Sequence, residues 1–564
     1  MSVLPGTEHR RAPTSPPARS HGPVRELTGT RRLLRLAGRR DRIVLPVWGV
    51  ALPGLLAATV ASIVSLYATE AERTQYAVVA ATNVVARAFD GPMSGTSLGA
   101  IVMTESFGIL ALLIGIMSVQ AVVRHTRAEE ETGRAELVGS AVVGRDARLV
   151  AALVLVVAAN LGLGTAAALV LIVSGLPVGG SVMAGAALAG VGVSFAGIAA
   201  VAAQVSETAR GANAIGIVVV GLSFLLRAVG DAFGSLAESG VEVISAWPSW
   251  LSPIGWGQQL RPFGEARPWV LLLFAGVSVV SVLTAFTLTR HRDVGAGMVP
   301  VRAGPARASR WLTSPAGIAW RLHRGTMLGW AVGLTVMGAA IGGISNEVEE
   351  LLQTSDELAA LIGDMGAGDT LVDVYIAFAL VILAYATAAF LLQALFRVRS
   401  EELAGRAEPL LATAVSRVRL LGVHVAWAVA GTVAILLLIG VAGGVTSGLV
   451  TAEWGARSAD WVLAALVQLP AVLVLGGIAV AVMGWLPRLG APIAWGALIG
   501  SLVIGQFGGL LELPQAVMNL SPFSHVPAVP AEVLDPVPLL VLLALAAALY
   551  AIGFLGWRHR DLQC

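Results

Sequence analysis

Lysine is absent from this chain of 564 residues, because all 37 residues counted as lysine or arginine are arginines. Without lysine a P-loop cannot be built, since the lysine of G-x-x-x-x-G-K-[ST] reaches the β- and γ-phosphates of the nucleotide. Cysteine occurs once, as Cys564, so neither an internal disulfide nor a cysteine metal cluster can form. The metal motif H-E-x-x-H is also missing. The chain is therefore not expected to be an enzyme, to hold its own ATPase site or to bind a metal.

Charge is scarce as well. Charged residues make up 13% of the chain and hydrophobic residues 56%, with a mean hydropathy of +0.80, whereas a soluble domain carries about 25% charged residues. A helix needs about 20 mostly apolar residues to cross a bilayer. About twelve such runs occur, all solidly apolar and without the alternation of transmembrane strands, and they begin near Ile43, Thr104, Leu149, Ser181, Ala212, Pro268, Met327, Val372, Leu420, Trp461, Leu489 and Pro538. The sequence predicts an all-α polytopic membrane protein with about twelve transmembrane helices.

Arginine placement predicts the orientation, since basic residues close to the ends of spans tend to stay in the cytoplasm. Assigning the loops alternately places 31 of the 37 arginines on the side of the N-terminus, while the acidic stretch 346–369 lies on the other side. We expect a multi-pass protein of the cell membrane with both termini in the cytoplasm. Attraction to lipid explains the basic face, so no nucleic-acid partner is expected.

The sequence repeats itself once. RAEEETGRAELVGSAVVGR, Arg127–Arg145, and RSEELAGRAEPLLATAVSR, Arg399–Arg417, share nine of 19 residues at an offset of 272. LSPIGW recurs as LSPFSH and RHRD recurs unchanged, at offsets of 269 and 268. Two tandem six-helix repeats are the simplest account. Because each repeat has an even number of spans, the two should have a parallel orientation.

These landmarks set the expected domain boundaries. Residues 1–23 have the composition of a disordered cytoplasmic tail, the first six-span half covers 24–293, a Gly- and Pro-rich cytoplasmic linker covers 294–313 and the second half covers 314–564. Before the first span, ELTGTRRLLRLAGRR sets apolar residues against arginines, which predicts a basic amphipathic helix at the level of the lipid headgroups. SPAGIAWRLHRG, Ser314–Gly325, holds the same place in the second half and predicts a second interfacial helix.

The two related charged stretches predict helices over 127–148 and 399–419, standing in water between the second and third spans of each half. On such helices Glu130 and Arg134 lie four residues apart, as do Glu402 and Arg406, and each pair is worth about 0.2–0.5 kcal/mol. A solvated connector is the plain alternative. A connector, however, has no need to keep E-E, G-R-A-E and a closing arginine at fixed spacing in both copies. The repeat favours a docking surface for a partner with two matching faces.

At this point the sequence resembles a known family. LTGTRRLLRLAGRRDRIVLPVWGV, EEETGRAEL, EELAGRAEP, SPAGIAWRLHRG and the LSP turns resemble the permeases of ATP-binding-cassette exporters, above all the actinobacterial exporters of polyketide antibiotics and multidrug efflux permeases. The resemblance covers Thr28 to Asp561. It implies that the charged helices are coupling helices in contact with an ATPase, through Glu129, Glu130, Gly133, Arg134, Glu136, Arg145, Glu401, Glu402, Gly405, Arg406, Glu408 and Arg417.

The resemblance also implies the partners. A separate ATPase subunit, expected in two copies, would bind ATP and Mg²⁺, this chain would bind no cofactor, and the exported cargo would be a hydrophobic small molecule or lipid. Pro409 stands where the first half has Leu137 and predicts a cap or a break of the second charged helix, so the two docking sites are expected to be unequal. A proton-coupled secondary transporter remains the alternative, and an integral membrane enzyme acting on lipid-linked substrates is a third reading.

A few polar residues fall in or near the apolar runs. Glu105 and Asp373 occupy equivalent outer ends of two spans and are candidates for the transport pathway, although solvation among the headgroups explains them equally well. Asn160, His424, Gln468 and Gln506 are expected to form hydrogen bonds between helices and not to contact cargo.

Overall fold

The computed structural model describes residues 26–293, 295–299, 304, 306–343, 371–451, 454–507 and 513–561. The chain divides into two compact units, Met1–Ala303 and Gly304–Cys564, with the boundary inside the linker predicted at 294–313. The predicted tail, 1–23, and the acidic stretch 346–369 lie outside the described residues.

The first unit is helical apart from one short hairpin. Its helices are α1 Thr30–Arg40, α2 Val44–Leu66, α3 Glu70–Thr82, α4 Val84–Phe89, α5 Leu98–His125, α6 Arg127–Glu131, α7 Arg134–Gly139, α8 Ala147–Val173, α9 Val178–Val205, α10 Ala209–Ala232, α11 Pro253–Gln259 and α12 Leu271–His291. The strands β1 Ser235–Leu236 and β2 Val243–Ile244 pair antiparallel in the loop after α10.

The described part of the second unit is helical. Its helices are α13 Pro315–Gly343, α14 Leu371–Leu403, α15 Ala407–Leu411, α16 Arg417–Thr451, α17 Trp454–Val467, α18 Leu469–Trp485, α19 Gly490–Phe507, α20 Gln515–Met518 and α21 Pro536–His559. Across the described residues of both units, 11 helical segments are long and apolar enough to cross a membrane, and Gly490–Gln506 is a shorter apolar helix. The predicted all-α polytopic membrane fold is confirmed.

Small residues bring the helices of each unit close together. A Cβ atom on Gly164 of α8 would overlap the carbonyl oxygen of Gly185 on α9, and a Cβ on Gly553 of α21 would overlap the backbone of α18 at Val480. Helices in lipid pack through such small residues because lipid tails give them no hydrophobic driving force to associate. The Gly- and Ala-rich composition therefore serves packing.

The repeated LSP turn anchors the loop that precedes the last helix of each half. Ser252 donates a hydrogen bond to the carbonyl of Ser223 on α10 at 2.7 Å, and Ser521 donates to the carbonyl of Ser501 on α19 at 3.2 Å. The repeated motif thus makes the same kind of contact in both units, to the helix at the position of the fifth predicted span of its half.

The interfacial helices differ between the halves. In α1, Arg31, Arg35 and Arg39 are exposed and Ala37 is buried, as its amphipathic pattern predicts. The segment Ser314–Gly325 does not form a helix of its own, because α13 continues without a break from Pro315 into the first span of the second half.

A side-chain difference accompanies the break. Asp41, directly after α1, is buried and accepts hydrogen bonds from Arg124 at 2.8 Å and from His125 at 2.6 Å. The equivalent residue of the second half is His323, which lies inside the continuous helix α13. It bonds to His424 of α16 at 2.9 Å.

Candidate functional site

The first charged segment, 127–145, and the second charged segment, 399–417, are not continuous helices. The first holds α6 and α7, separated at Gly133 with φ 71°. In the second, α14 ends at Leu403, Gly405 has φ 69° and α15 follows. A glycine in the left-handed conformation ends a helix at little steric cost. The continuous helices predicted over 127–148 and 399–419 are therefore wrong. Each segment turns sharply at its glycine, between the short helices α6 and α7 in the first half and between the long helix α14 and the short helix α15 in the second.

The break at glycine changes the ion pairs. The predicted pairs Glu130–Arg134 and Glu402–Arg406 do not form; Arg134 lies 3.8 Å from Glu129, and Arg406 bonds Glu401 at 2.6 Å. Each arginine meets the carboxylate one residue earlier, because the turn removes the four-residue helical spacing. The hydrogen bond with Glu401 and its charge raise the pKa of Arg406 above its ordinary value.

Glu130 points inward to the RHRD motif that follows the last helix of its half. Its two carboxylate oxygens each lie 2.8 Å from the guanidinium of Arg292, in a bidentate pair, the strong geometry for arginine and carboxylate. Arg127 adds a hydrogen bond at 2.6 Å, and its side chain is fully buried. The side chain of Glu130 is only 9% exposed.

The second half repeats this arrangement. Glu402 accepts a hydrogen bond from Arg560 at 2.6 Å and forms an ion pair with Arg399 at 2.9 Å, and its side chain is 3% exposed. We call the pairs Glu130–Arg292 and Glu402–Arg560 the inward clamp. Sequence reasoning used RHRD only as a landmark of the repeat and missed this role. The signal was present, since both partners recur together in the two halves.

The closing arginines of both segments strengthen the clamp. Arg145 donates hydrogen bonds to the carbonyls of Thr289, Arg290 and Arg292 at 2.9–3.2 Å. Arg417 donates to the carbonyl of Arg560 at 2.8 Å. The C-terminal end of the last helix in each half is thus held to the end of its charged segment.

A different set of residues faces outward. In the first segment Arg134 and Glu136 are exposed and Leu137 is 76% exposed, while Ala135 between them is buried. In the second segment the equivalent exposed residues are Arg406, Glu408 and Pro409, and the equivalent buried residue is Ala407.

We call these six exposed residues the outward faces. Pro409 does not break α15. It lies in the first turn of this helix, where a missing N–H is tolerated, so of the two predicted effects, a cap or a break, the break is wrong.

Comparison with known proteins agrees with this architecture. The family of the C-terminal domain of the multidrug efflux system permease Rv1217c matches residues 312–558. The multidrug efflux system permease protein Rv1217c of Mycobacterium tuberculosis (strain ATCC 25618 / H37Rv) is 40% identical over 539 residues, which is 95% of this chain and 96% of the relative. The chain belongs to this family of multidrug efflux permeases. As a member, it is a multi-pass membrane permease.

The two candidate pathway residues of this efflux permease lie in separate clusters. Glu105 accepts a hydrogen bond from the hydroxyl of Tyr76, and Asp373 pairs with Arg457 at 2.9 Å. Near Glu105, burial and the carboxylate of Glu105 raise the pKa of Asp90 to about 7, against the opposing charge of Arg227.

A buried charged pair in the first half was missed by sequence reasoning. Arg227 and Asp231 of α10 are both fully buried and lie 3.6 Å apart. Arg227 also donates to the carbonyl of Phe89 at 2.9 Å, and Ser249 donates to Asp231 at 3.1 Å. The available signal was the spacing of four residues inside an apolar run. On a helix this spacing brings two opposite charges together, and charged residues within a span pair in this way because burying them in lipid is costly.

The remaining polar residues mostly have structural partners. Asn160 donates to the hydroxyl of Ser118 on α5 at 2.9 Å, and His424 bonds to His323, so the predicted hydrogen bonds between helices are confirmed for both. In the described part of the chain, the side-chain oxygen of Gln468 is buried without a partner.

One catalytic pattern also has a structural role. The sequence GTSLG, Gly95–Gly99, fits the nucleophile pattern G-x-S-x-G, but the residues before it form no strand. Ser97 caps α5 by accepting from the N–H of Ala100 at 3.2 Å.

Proposed function

We propose that this chain is the membrane subunit of an ATP-driven exporter of hydrophobic compounds, powered by a separate ATPase that docks on the two outward faces. Two ATPase copies are expected, because the outward face occurs once in each half. ATP and Mg²⁺ would be bound by the ATPase, and this chain would hold no cofactor. The complete lack of lysine supports a nucleotide site on another chain.

The observation that carries this proposal is the repeated division of labour within each charged segment. The residues of the outward faces, which begin at Arg134 and Arg406, are exposed and can contact a partner. The preceding carboxylates Glu130 and Glu402 are buried in the inward clamp. A solvated connector needs no buried, charge-assisted bonds to a distant helix, whereas a surface that receives force does.

The clamp suggests how movement would spread within each half. A docked ATPase would push on a segment that lies between the second and third long helices. Because Glu130 and Arg145 hold the end of α12, that helix should move together with the segment. The second half has the same path through Glu402, Arg417 and the residue after α21, Arg560.

The proposed cargo is a hydrophobic drug, antibiotic or lipid-like molecule. The relative's name, multidrug efflux permease, supports this class for the present chain, and so do the apolar helices. The proton-coupled alternative gains one observation, the buried pair Arg227–Asp231, because ionisable groups inside a membrane protein often serve proton relays.

A co-purification and ATPase assay with an ATP-binding-cassette ATPase co-expressed with this chain tests docking. The double charge reversal Arg134→Glu with Arg406→Glu should lower association at least about tenfold, since it reverses charge on both outward faces. Cargo-stimulated ATP hydrolysis should fall with it. Arg73→Glu, which alters a partly exposed arginine on α3 at the predicted outer side, is the matched control and should leave association unchanged.

The opposite result has a clear meaning. If the double variant is inserted normally and binds and stimulates the ATPase like the wild type, docking on the outward faces is wrong. Proton-coupled efflux would then be tested with Asp231→Asn, by asking whether drug efflux from vesicles loses its dependence on a proton gradient.

A further inference from the structure

Each half contains a cleft beneath its charged segment, and the two clefts are equivalent. The first cleft is lined by Leu36, Arg40, Glu129, Val138 and Arg148, among others. The second cleft is lined at the matching positions by Ile318, Leu322, Glu401, Leu410 and Leu420. The offset is 282 for the residues before the first span and 272 for the others. Repeat symmetry therefore predicts equal clefts.

The volumes are not equal. The first cleft leaves a cavity of about 40 Å³, and the second leaves about 380 Å³. In the first cleft Arg40 pairs with Glu129, and Arg148 lies 3.7 Å from Glu130. These long side chains fill the space. Leucines replace both arginines in the second cleft, at Leu322 and Leu420, so its interior is open and apolar.

The rim of the second cleft carries an excess of positive charge. Without an equivalent of Arg40, Glu401 pairs instead with Arg397 at 3.0 Å and Arg406 at 2.6 Å. Two guanidinium groups thus share one carboxylate. Within the described part of the chain, the Nε–H of Arg397 is buried without a hydrogen-bond partner. With two arginines and one carboxylate the rim has a net positive charge, which suits an anionic headgroup.

The position of the second cleft indicates the source of a ligand. Its walls are the beginnings of α13 and α16 and the end of α14, three helices long and apolar enough to cross a membrane. These ends lie where the headgroups of the inner leaflet are expected. An acyl chain can reach such a cavity from the bilayer, and arginines near the surface attract anionic lipid.

We propose that the second cleft binds an acyl chain of an anionic membrane lipid, whose headgroup pairs with Arg397 and Arg406, and that the first cleft does not. A cavity of 380 Å³ is within the range of about 300–1,000 Å³ typical of ligand sites with apolar walls and few polar groups. This site needs neither the proposed export function nor an ATPase, although it shares Arg406 with the second outward face.

Photo-crosslinking tests the proposal on the full chain alone. The protein is reconstituted in phosphatidylcholine vesicles with a trace of phosphatidylglycerol that carries a diazirine on its acyl chain. Crosslinks should concentrate on peptides 315–322 and 407–420, and unlabelled phosphatidylglycerol should compete for them. Leu410→Trp fills the second cleft and should lower this labelling at least about tenfold, because the larger side chain covers the apolar walls that the acyl chain would otherwise cover.

The first cleft supplies the matched control. Val138→Trp changes the position equivalent to Leu410 and should leave labelling of the second half unchanged. Leu322→Arg, which imitates Arg40, should lower labelling and keeps the test decisive if Leu410→Trp does not fold. The proposal is overturned if labelling is equal in the two halves, if it persists in correctly inserted cleft-filling variants, or if diazirine phosphatidylcholine labels the same peptides equally well.

Discussion

The two charged segments share their inward contacts and differ in what surrounds them. Glu130 meets Arg127, Arg148 and Arg292, whereas Glu402 meets Arg399 and Arg560. The first segment closes its cleft with arginine and the second leaves it open. The duplicated segments therefore share the clamp to the last helix of each half, whereas the shape of the cleft differs between the halves.

The largest expected effect comes from neutralising the clamp. Glu130→Gln removes the carboxylate that compensates three arginines, two of them nearly buried, and should destabilise the first half by at least about 3 kcal/mol. Glu402→Gln removes the carboxylate that meets Arg399 and Arg560, but Arg560 keeps its stacking on Trp557, with 4.1 Å between guanidinium carbon and ring centre. Its cost should be smaller. Thermal unfolding in detergent measures both.

The control for this comparison is Glu136→Gln, an exposed carboxylate in the same segment, which should change stability by less than about 0.5 kcal/mol. An equal or larger loss for Glu402→Gln would contradict the view that the stacking of Arg560 on Trp557 lessens the loss in the second clamp.

A second difference between the halves is Asp41, whose equivalent is His323. Burial alone would raise the pKa of Asp41, but hydrogen bonds from His125 and Arg124 outweigh it and lower the pKa. The stabilising effect of Asp41 is therefore present above its unfolded pKa of about 3.9 and is lost as the pH falls through the lower folded value.

Asp41→Asn should accordingly cost about 2 kcal/mol at neutral pH, as expected for a buried charged hydrogen bond. The cost should shrink as the pH falls below about pH 4. Unfolding temperatures across that range measure it, with the exposed Asp293→Asn as control. A cost that does not shrink below about pH 4 would contradict this role of the Asp41 carboxylate.

Much of the fold could be predicted from the sequence, because a transmembrane helix needs only a long apolar run. The duplication was also visible in the sequence, because its landmarks keep their spacing in both halves. The boundary between Ser314 and Met327 could not be predicted, because a buried contact at this point differs between the two halves. Asp41 makes that contact in one half and His323 makes a different one in the other.

The site was predicted in part. The segments were identified, but Glu130 and Glu402 were assigned to the surface because their partners, Arg292 and Arg560, are 162 and 158 residues away. Contacts between residues so far apart in the chain leave no periodic pattern. The glycine that breaks each helix was also present in the sequence. Its left-handed conformation depends on the turn that the clamp imposes.

The smallest predicted effect tests whether both halves make the same turn. Gly133→Ala and Gly405→Ala place a Cβ atom on a backbone with φ near 70°, and within the described part of the chain no atom lies within 4 Å of either new Cβ. Only backbone strain remains, so each variant should cost about 1 kcal/mol. Gly38→Ala, inside α1 and equally unobstructed, is the control and should be neutral or slightly stabilising. Equal costs at the two glycines, measured by thermal unfolding, would show that the duplicated segments turn alike and differ only in their clefts, whereas a cost at one glycine alone would mean that only one half holds this turn rigidly.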